Sequence, residues 1–321
     1  MPASKRPAPS HQCHGTAANT FHRLVPACTV ITSARGHLQM SLPPSSLSSE
    51  DVSQRVLTFY QELPFNARDS VDAAAINVKK HDPVRSYPPL RGKVDNCLVL
   101  EVGCGVGWLS NGLAYHHDSN VMGIDFNPVA IERARATARA LKLPTRFEVQ
   151  NLFEYTPTER FQLVVSLGVL HHTHDCEGAV RRICREFLDV TGVAVIGLYQ
   201  TFGRRPFLEH FRKLQSAGAS EEELLKEYGR LHNIFEDLTH LKSWFRDQVL
   251  HPHETQHTYA ELRQILESEG LVVTTTSLNR FAEIDSHAEI ERQEAECEQT
   301  SLKAIADGRY YPGFFVVVAE R

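Results

Sequence analysis

Between positions 98 and 200 the chain alternates short apolar runs with stretches whose apolar residues recur every three or four positions. That alternation is the mark of a parallel sheet covered by helices on both faces. Residues 98–102, 121–124, 145–149, 163–167 and 193–198 read as strands, with helices over 131–141 and 179–187. Ahead of them Val52, Val56, Leu57, Tyr60 and Leu63 fall at helical spacing, and 71–78 predicts a second helix that must end before Asp82-Pro83. Beyond Tyr199 the pattern is purely helical from about 206 to 250; Ser220 with Glu223 forms a capping box, and Thr239 is placed to cap a further helix. Alternation then resumes. Thr258 with Glu261 caps a helix ending at Gly270, 271–277 reads as a β-branched strand, the charged run 283–303 as helix, and 313–319 as the last strand.

This pattern predicts an N-terminal helical cover over 50–92, then one α/β domain over 93–321 interrupted by a helical insertion at 202–258. Residues 1–49 differ. They hold no acidic residue but contain Lys5, Arg6, Arg23 and Arg35 amid Ser, Thr, Pro and Ala, which fits a disordered leader or a transit-like segment, with Met40 available as an alternative start. The expected location is cytoplasmic, or an organelle matrix if that leader is a transit peptide.

Composition narrows the function. With 321 residues, 42% hydrophobic and 23% charged, the chain has the make-up of an ordinary globular protein, and no apolar run reaches the length of about 18 residues that crosses a bilayer. A net charge of -5 argues against nucleic acid as a partner, because the broad positive field that holds phosphates is missing. Seven scattered cysteines without a CxxC argue for a reducing compartment and against a disulfide or zinc framework.

The most informative segment is Leu98-Val99-Leu100-Glu101-Val102-Gly103-Cys104-Gly105-Val106-Gly107-Trp108. A buried strand runs into glycines at alternate positions and then into a helix, which lets backbone approach a ligand at a helix N-terminus. The spacing is not that of a dinucleotide fingerprint, whose third glycine would stand at Trp108, and no Lys-Ser or Lys-Thr follows to make a P-loop. About twenty residues on, Gly123-Ile124-Asp125-Phe126 places a carboxylate at the next strand end, where it can accept from both hydroxyls of a ribose. Taken alone, Asp125 could equally cap the helix after Pro128.

Together with Val165-Ser166-Leu167-Gly168-Val169-Leu170-His171-His172-Thr173, these segments make the chain resemble the class I S-adenosylmethionine-dependent methyltransferases over residues 98–200, and more loosely over 259–321. The resemblance implies a Rossmann-like seven-stranded sheet, mostly parallel with its last strand antiparallel, binding S-adenosyl-L-methionine over the first strands. It implies cofactor contacts at Glu101, Gly103, Cys104, Gly105, Gly107, Asp125, Phe126, Leu152, Phe153, Leu167 and Gly168. Where the family commonly has an acidic residue near the adenine, this chain has Asn151, which can still offer an amide oxygen.

Methyl transfer needs a positioned nucleophile and, for a protonated one, a base; the chemistry itself requires no metal. His171 and His172 follow the fourth strand at the carboxyl edge where open sheets bind ligands, and are the catalytic candidates. Arg246, His251, His253, Glu254 and His257 in the insertion are expected to line an acceptor pocket, although loop-anchoring hydrogen bonds or a metal would suit the same spacing. Arg246 could meet a substrate carboxylate, or pair with Asp247 or Glu254 instead. Tyr60, Phe65 and Asn66 in the cover are placed to line the same pocket. Arg204, Arg205, Arg212 and Lys213 read as a solvated helix face. The expectation is an enzyme moving a methyl group to an O, N or S atom of a small molecule, with oligomeric state open. An RNA or protein acceptor, or a non-catalytic S-adenosylmethionine-binding regulator, remain the alternatives.

Overall fold

The computed structural model describes residues 48–321 apart from Ile234 and Glu236. The expected leader therefore lies outside the described residues except at its last two positions, of which Ser48 caps the first helix and Ser49 opens it. Ser48 caps α1 (Ser49–Glu62) in a capping box with Asp51, and Glu50 and Asp51 set negative charge against the positive end of the helix. α2 (Val71–Lys80) is capped by Ser70, and Asp82 caps the short α3 (Pro83–Ser86).

The sheet contains β1 (Leu98–Val102), β2 (Asn120–Asp125), β3 (Arg146–Val149), β4 (Phe161–Leu167), β5 (Leu188–Tyr199), β6 (Val272–Thr276) and β7 (Phe314–Glu320), in the order β3-β2-β1-β4-β5-β7-β6. The first five strands run parallel, and β7 is antiparallel to both β5 and β6. This is a Rossmann-like α/β fold. β5 is longer than its apolar run predicts, because residues 188–192 extend it through the exposed Val190 and Thr191 to the buried Leu188.

Helices α4 (Trp108–His117), α5 (Pro128–Leu141), α6 (Cys176–Arg182) and α10 (Tyr259–Ser268) cross over the sheet; α6 runs on into a π-helical turn over Ile183–Phe187. They enclose a core on each face, one around Leu100, Phe161, Phe187 and Phe315, the other around Val99, Leu113, Val165 and Val318. α7 (Thr201–Ser216), α8 (Glu221–Leu231) and α9 (Leu238–Val249) stand between β5 and α10 with an aromatic core of their own, including Phe207, Phe211, Tyr228 and Phe245. Asp237 caps α9, by accepting from the His240 N–H; Thr239, the expected cap, lies inside the first turn. The charged run after 283 forms two helices, α11 (His287–Ala295) and α12 (Cys297–Ala306), where one was expected. Among the described residues no helix is long and apolar enough to cross a membrane.

The strand order reverses between β1 and β4. At such a switch point the crossovers leave in opposite directions and open a crevice at the carboxyl ends of the strands. The glycine turn after β1, the end of β2 and the histidines after β4 all lie on that edge.

Candidate active site

The four glycines of the edge divide into two kinds. A Cβ on Gly107 would come within 2.7 Å of Ala134 and 2.9 Å of Phe147, and one on Gly103 within 2.4 Å of Val169, so both are close-packing positions. Gly105 and Gly168, with φ of +51° and +77°, have nothing within 4 Å of that position. Their open faces lie on either side of the switch point, beside Leu167, and leave room for a ligand against bare backbone.

Most N–H groups of the turn are already used. Gly103 and Cys104 both donate to the Ile124 carbonyl and Gly107 to that of Cys104. Gly105 donates to Oδ2 of Asp125 at 2.9 Å, while Oδ1 accepts from Asn127 at 2.8 Å. Each oxygen of Asp125 keeps accepting capacity, and burial raises the group above its ordinary value. Asn127, not Asp125, caps α5, through its Oδ1 to Val129.

Glu101 lies beneath the turn. Its Oε2 accepts the Ser110 N–H at 2.9 Å and the Ser110 hydroxyl, so it supplies the N-terminal cap that α4 lacks at Gly107. Burial pushes its carboxyl up to about 8 against the pull of Ser110. Cys104 and Leu152, expected as cofactor contacts, turn their side chains into the core, which leaves only their backbone on the edge. Asn151 spends its Oδ1 on the Phe153 N–H and its amide N–H on Glu154, and Phe153 packs against His174 at 4.2 Å. Phe126, Val149, Gln150 and Asn151 form one wall of a cleft of about 330 Å³ whose other wall is α1, through Glu50, Ser53, Gln54 and Leu57.

At the other end of α1 the cover meets the insertion. The Tyr60 hydroxyl donates to Asp247 Oδ1 at 2.5 Å, Arg246 donates to Glu62 and to the Phe59 carbonyl while stacking on the Phe59 ring, and Asn66 accepts from Trp244 and lies 3.0 Å from His240 Nε2. Phe65 packs on Trp244 at 4.9 Å. Phe65, Asn66 and Arg246 thus hold the two segments together, and Arg246 pairs with Glu62 rather than with Asp247 or Glu254.

Asp247 is the centre of a buried polar group that sequence reading missed. Besides Tyr60, it accepts from Tyr199 at 3.1 Å and Gln248 at 3.0 Å, and His172 Nε2 lies 3.8 Å away. Gln248 accepts from Arg204, whose guanidinium is fully buried over the Tyr199 ring and bidentate to Glu254 at 3.0 and 2.7 Å. Two expectations are corrected here. Arg204 is no solvated residue, and Glu254 faces Arg204 rather than an open pocket. Burial, the largest single influence, would raise the Glu254 carboxyl, but the charge and hydrogen bonds of Arg204, with His172 and Gln256, together outweigh it and hold the group below its ordinary value. The signal for Tyr199 was its place at the carboxyl end of a strand; nothing local marked Arg204, because its partners are 44 and 50 residues away.

The histidines form a row. The rings of His171, His172 and His251 follow one another at 4.3 and 3.7 Å, flanked by Tyr199, Tyr60 and Phe59. His171 is completely buried and its Nδ1 accepts the Tyr199 N–H, so it serves as an anchor for the strand end and not as an accessible base. Burial first, then neighbouring positive groups, holds His171 and His251 well below 6.5. His253 sends Nε2 to the Thr173 carbonyl and its own carbonyl receives His172 Nδ1; His257 Nε2 lies 2.8 Å from the Thr255 hydroxyl. These two anchor the loop, and with Glu254 turned to Arg204 the metal alternative has no ligand group among the described residues.

Residues 99–190 match the family model of a methyltransferase domain. A ubiquinone biosynthesis O-methyltransferase of Alkalilimnicola ehrlichii is 30% identical over 134 residues, which are 39% of this chain and 52% of that protein. An ajmaline N-methyltransferase of Rauvolfia serpentina is 31% identical over 90 residues, 27% of this chain and 31% of that one. The match thus spans about half the length of the first relative and less of the second. The structure of PKMT2 from Rickettsia typhi in complex with AdoHcy superposes with a TM-score of 0.50 at 15% identity, over 70% of this chain and 49% of that one, and shares the fold.

Proposed function

We propose that this chain, which carries a class I S-adenosylmethionine-dependent methyltransferase domain, moves a methyl group from S-adenosyl-L-methionine to a small-molecule nucleophile. The observation that carries this reading is the pairing of Gly105 with Asp125: an open-faced turn tied by its own N–H to a carboxylate that can still accept, at the switch point of the sheet. The residues fit the cofactor. Asp125 would take the ribose hydroxyls, Phe126 and Val149 would flank the adenine in the cleft under α1, and Gly105, Leu167 and Gly168 would leave room for the methionyl arm. Glu101 and Gly103 act from below, by fixing the turn. When bound, the cofactor supplies a methyl group already activated on a sulfonium.

The protein's own part is to position the acceptor and take its proton. His172 is the base this geometry favours. Its Nδ1 faces the His253 carbonyl at 3.0 Å, so that nitrogen carries the proton and Nε2 presents a lone pair, with Asp247 near enough to stabilise the imidazolium that forms. α1 and α7–α9 act as the cover and lid that keep water from this edge, through Tyr60 and Asp247.

Calorimetry tests the cofactor half: Asp125→Ala should weaken S-adenosylmethionine binding about tenfold or more, the worth of charge-assisted hydrogen bonds to a ribose. Unchanged affinity would remove the ribose assignment. Transfer of labelled methyl into a metabolite extract tests the activity itself.

A further inference from the structure

The row of three imidazoles carries a pattern that the fold does not use. His171, His172 and His251 each have a buried Nε2 without a hydrogen-bond partner. A buried polar atom left unmet is costly, and such atoms on the neighbouring His172 and His251 rings call for a ligand that meets both. The other ring nitrogen of each fixes what Nε2 offers. His171 Nδ1 accepts from the Tyr199 N–H and His251 Nδ1 from the His253 N–H, so their Nε2 atoms carry protons and are donors. His172 Nδ1 faces a carbonyl, so its Nε2 is an acceptor. A donor and an acceptor thus stand on neighbouring rings whose centroids are 3.7 Å apart.

Resting on the methyltransferase reading, the geometry points to a hydroxyl oxygen as the atom methylated, held by donation to His172 Nε2 and by acceptance from His251 Nε2–H. A hydroxyl has one proton to give and two lone pairs, one to take the His251 hydrogen bond and one to attack the methyl. A neutral amine has a single lone pair, which attack consumes, so His251 would stay unmet. A thiol sulfur is a weak acceptor, and a carboxylate brings no proton for His172 and sets a second anion beside Asp247. In the transfer, the hydroxyl proton passes to His172 Nε2, an oxygen lone pair forms the O–CH₃ bond, and the C–S bond breaks with its electron pair going to sulfur, leaving a neutral thioether. The relatives are named for methylation on oxygen, nitrogen and carbon, so they leave this choice open.

Three measurements decide it. The protein is incubated with S-adenosylmethionine carrying a carbon-13 methyl group and a metabolite extract, and the shift of the transferred methyl separates O-, N-, S- and C-methyl products; O-methyl is expected, and an N-, S- or C-methyl product overturns the inference. Nitrogen-15 spectra of the histidines in the intact protein read the tautomers without any turnover. His171 and His251 protonated at Nε2 with His172 protonated at Nδ1 support the proposal, and any other arrangement of His172 and His251 overturns it. If no label is transferred, the methyltransferase reading itself fails, and the spectra still decide the donor–acceptor pattern. In turnover with the identified product's precursor, His251→Phe keeps the ring but not the donor and should lower kcat about tenfold or more, the worth of one hydrogen bond in the transition state; full activity in a folded His251→Phe protein would also overturn the assignment.

Discussion

Tyr60, near the end of α1, gives its hydroxyl proton to Asp247, near the end of α9, at 2.5 Å, joining positions 187 residues apart in the chain. Glu50, Ser53, Gln54 and Leu57 of the same helix line the cleft at its other end. In the proposed function, one helix therefore borders both ligand positions.

Tyr60→Phe keeps the ring and removes the donor. A hydrogen bond to a charged group is worth about 1.5–3 kcal/mol, and for a domain of this size each kcal/mol shifts Tm by about 2–4 °C. Thermal unfolding should show that fall, and kcat/KM should drop while S-adenosylmethionine affinity in calorimetry changes little. An unchanged Tm would mean that the contact holds nothing together.

Gly105→Ala and Gly107→Ala separate ligand space from packing. Both add a side chain at positive φ, a cost of about 1–2 kcal/mol. Only the Gly107 substitution also strikes Ala134 and Phe147, so it should lower Tm further. The Gly105 methyl instead enters the open crevice, so that variant should stay folded and lose cofactor affinity. Equal affinity in Gly105→Ala and the parent protein would show that nothing binds against that face.

Arg204→Met leaves Glu254 buried without its cation, a loss of about 3–5 kcal/mol for a broken buried pair. Adding Glu254→Gln should recover part of it. Urea unfolding of both single variants and the double variant measures the coupling; additive losses would show that the two side chains do not depend on each other.

Acid should unfold the protein through its buried histidines. His171 and His251 lie well below 6.5 because burial opposes their charged forms. In the window below 6.5 the unfolded chain binds more protons than the folded one, so the stability these neutral rings contribute is complete above 6.5 and is lost as pH falls. Urea midpoints measured from pH 7.5 down to about pH 5 should decline, and His251→Gln should flatten the decline. A slope the same in both proteins would place the acid sensitivity elsewhere.

How much of the site was legible in sequence follows from the range of the interactions. Gly105, Asp125 and His172 were marked by local pattern, since a strand end followed by a turn fixes which backbone faces the edge. The capping boxes at Ser220 and Thr258 were legible for the same reason, each being closed within three residues. Thr239 was misplaced because Asp237, two residues earlier, competes for the same role and its carboxylate reaches the His240 N–H. Glu101 and Leu152 were legible as positions near the edge, but that one side chain turns beneath α4 and the other into the core depends on tertiary packing.

The sequence by itself determined the alternation of strands and helices, the switch point and the glycine turn, because these arise from hydrophobic period and backbone sterics within short windows. Tertiary structure alone decided that Arg204 is buried against Glu254, that Asp247 gathers Tyr60, Tyr199 and Gln248, and that three histidines from two loops stand in one row. The physical reason is that a buried charge or imidazole takes its state from partners brought in by the fold, and many of those partners lie far off in the chain, from 28 residues between His171 and Tyr199 to 187 between Tyr60 and Asp247.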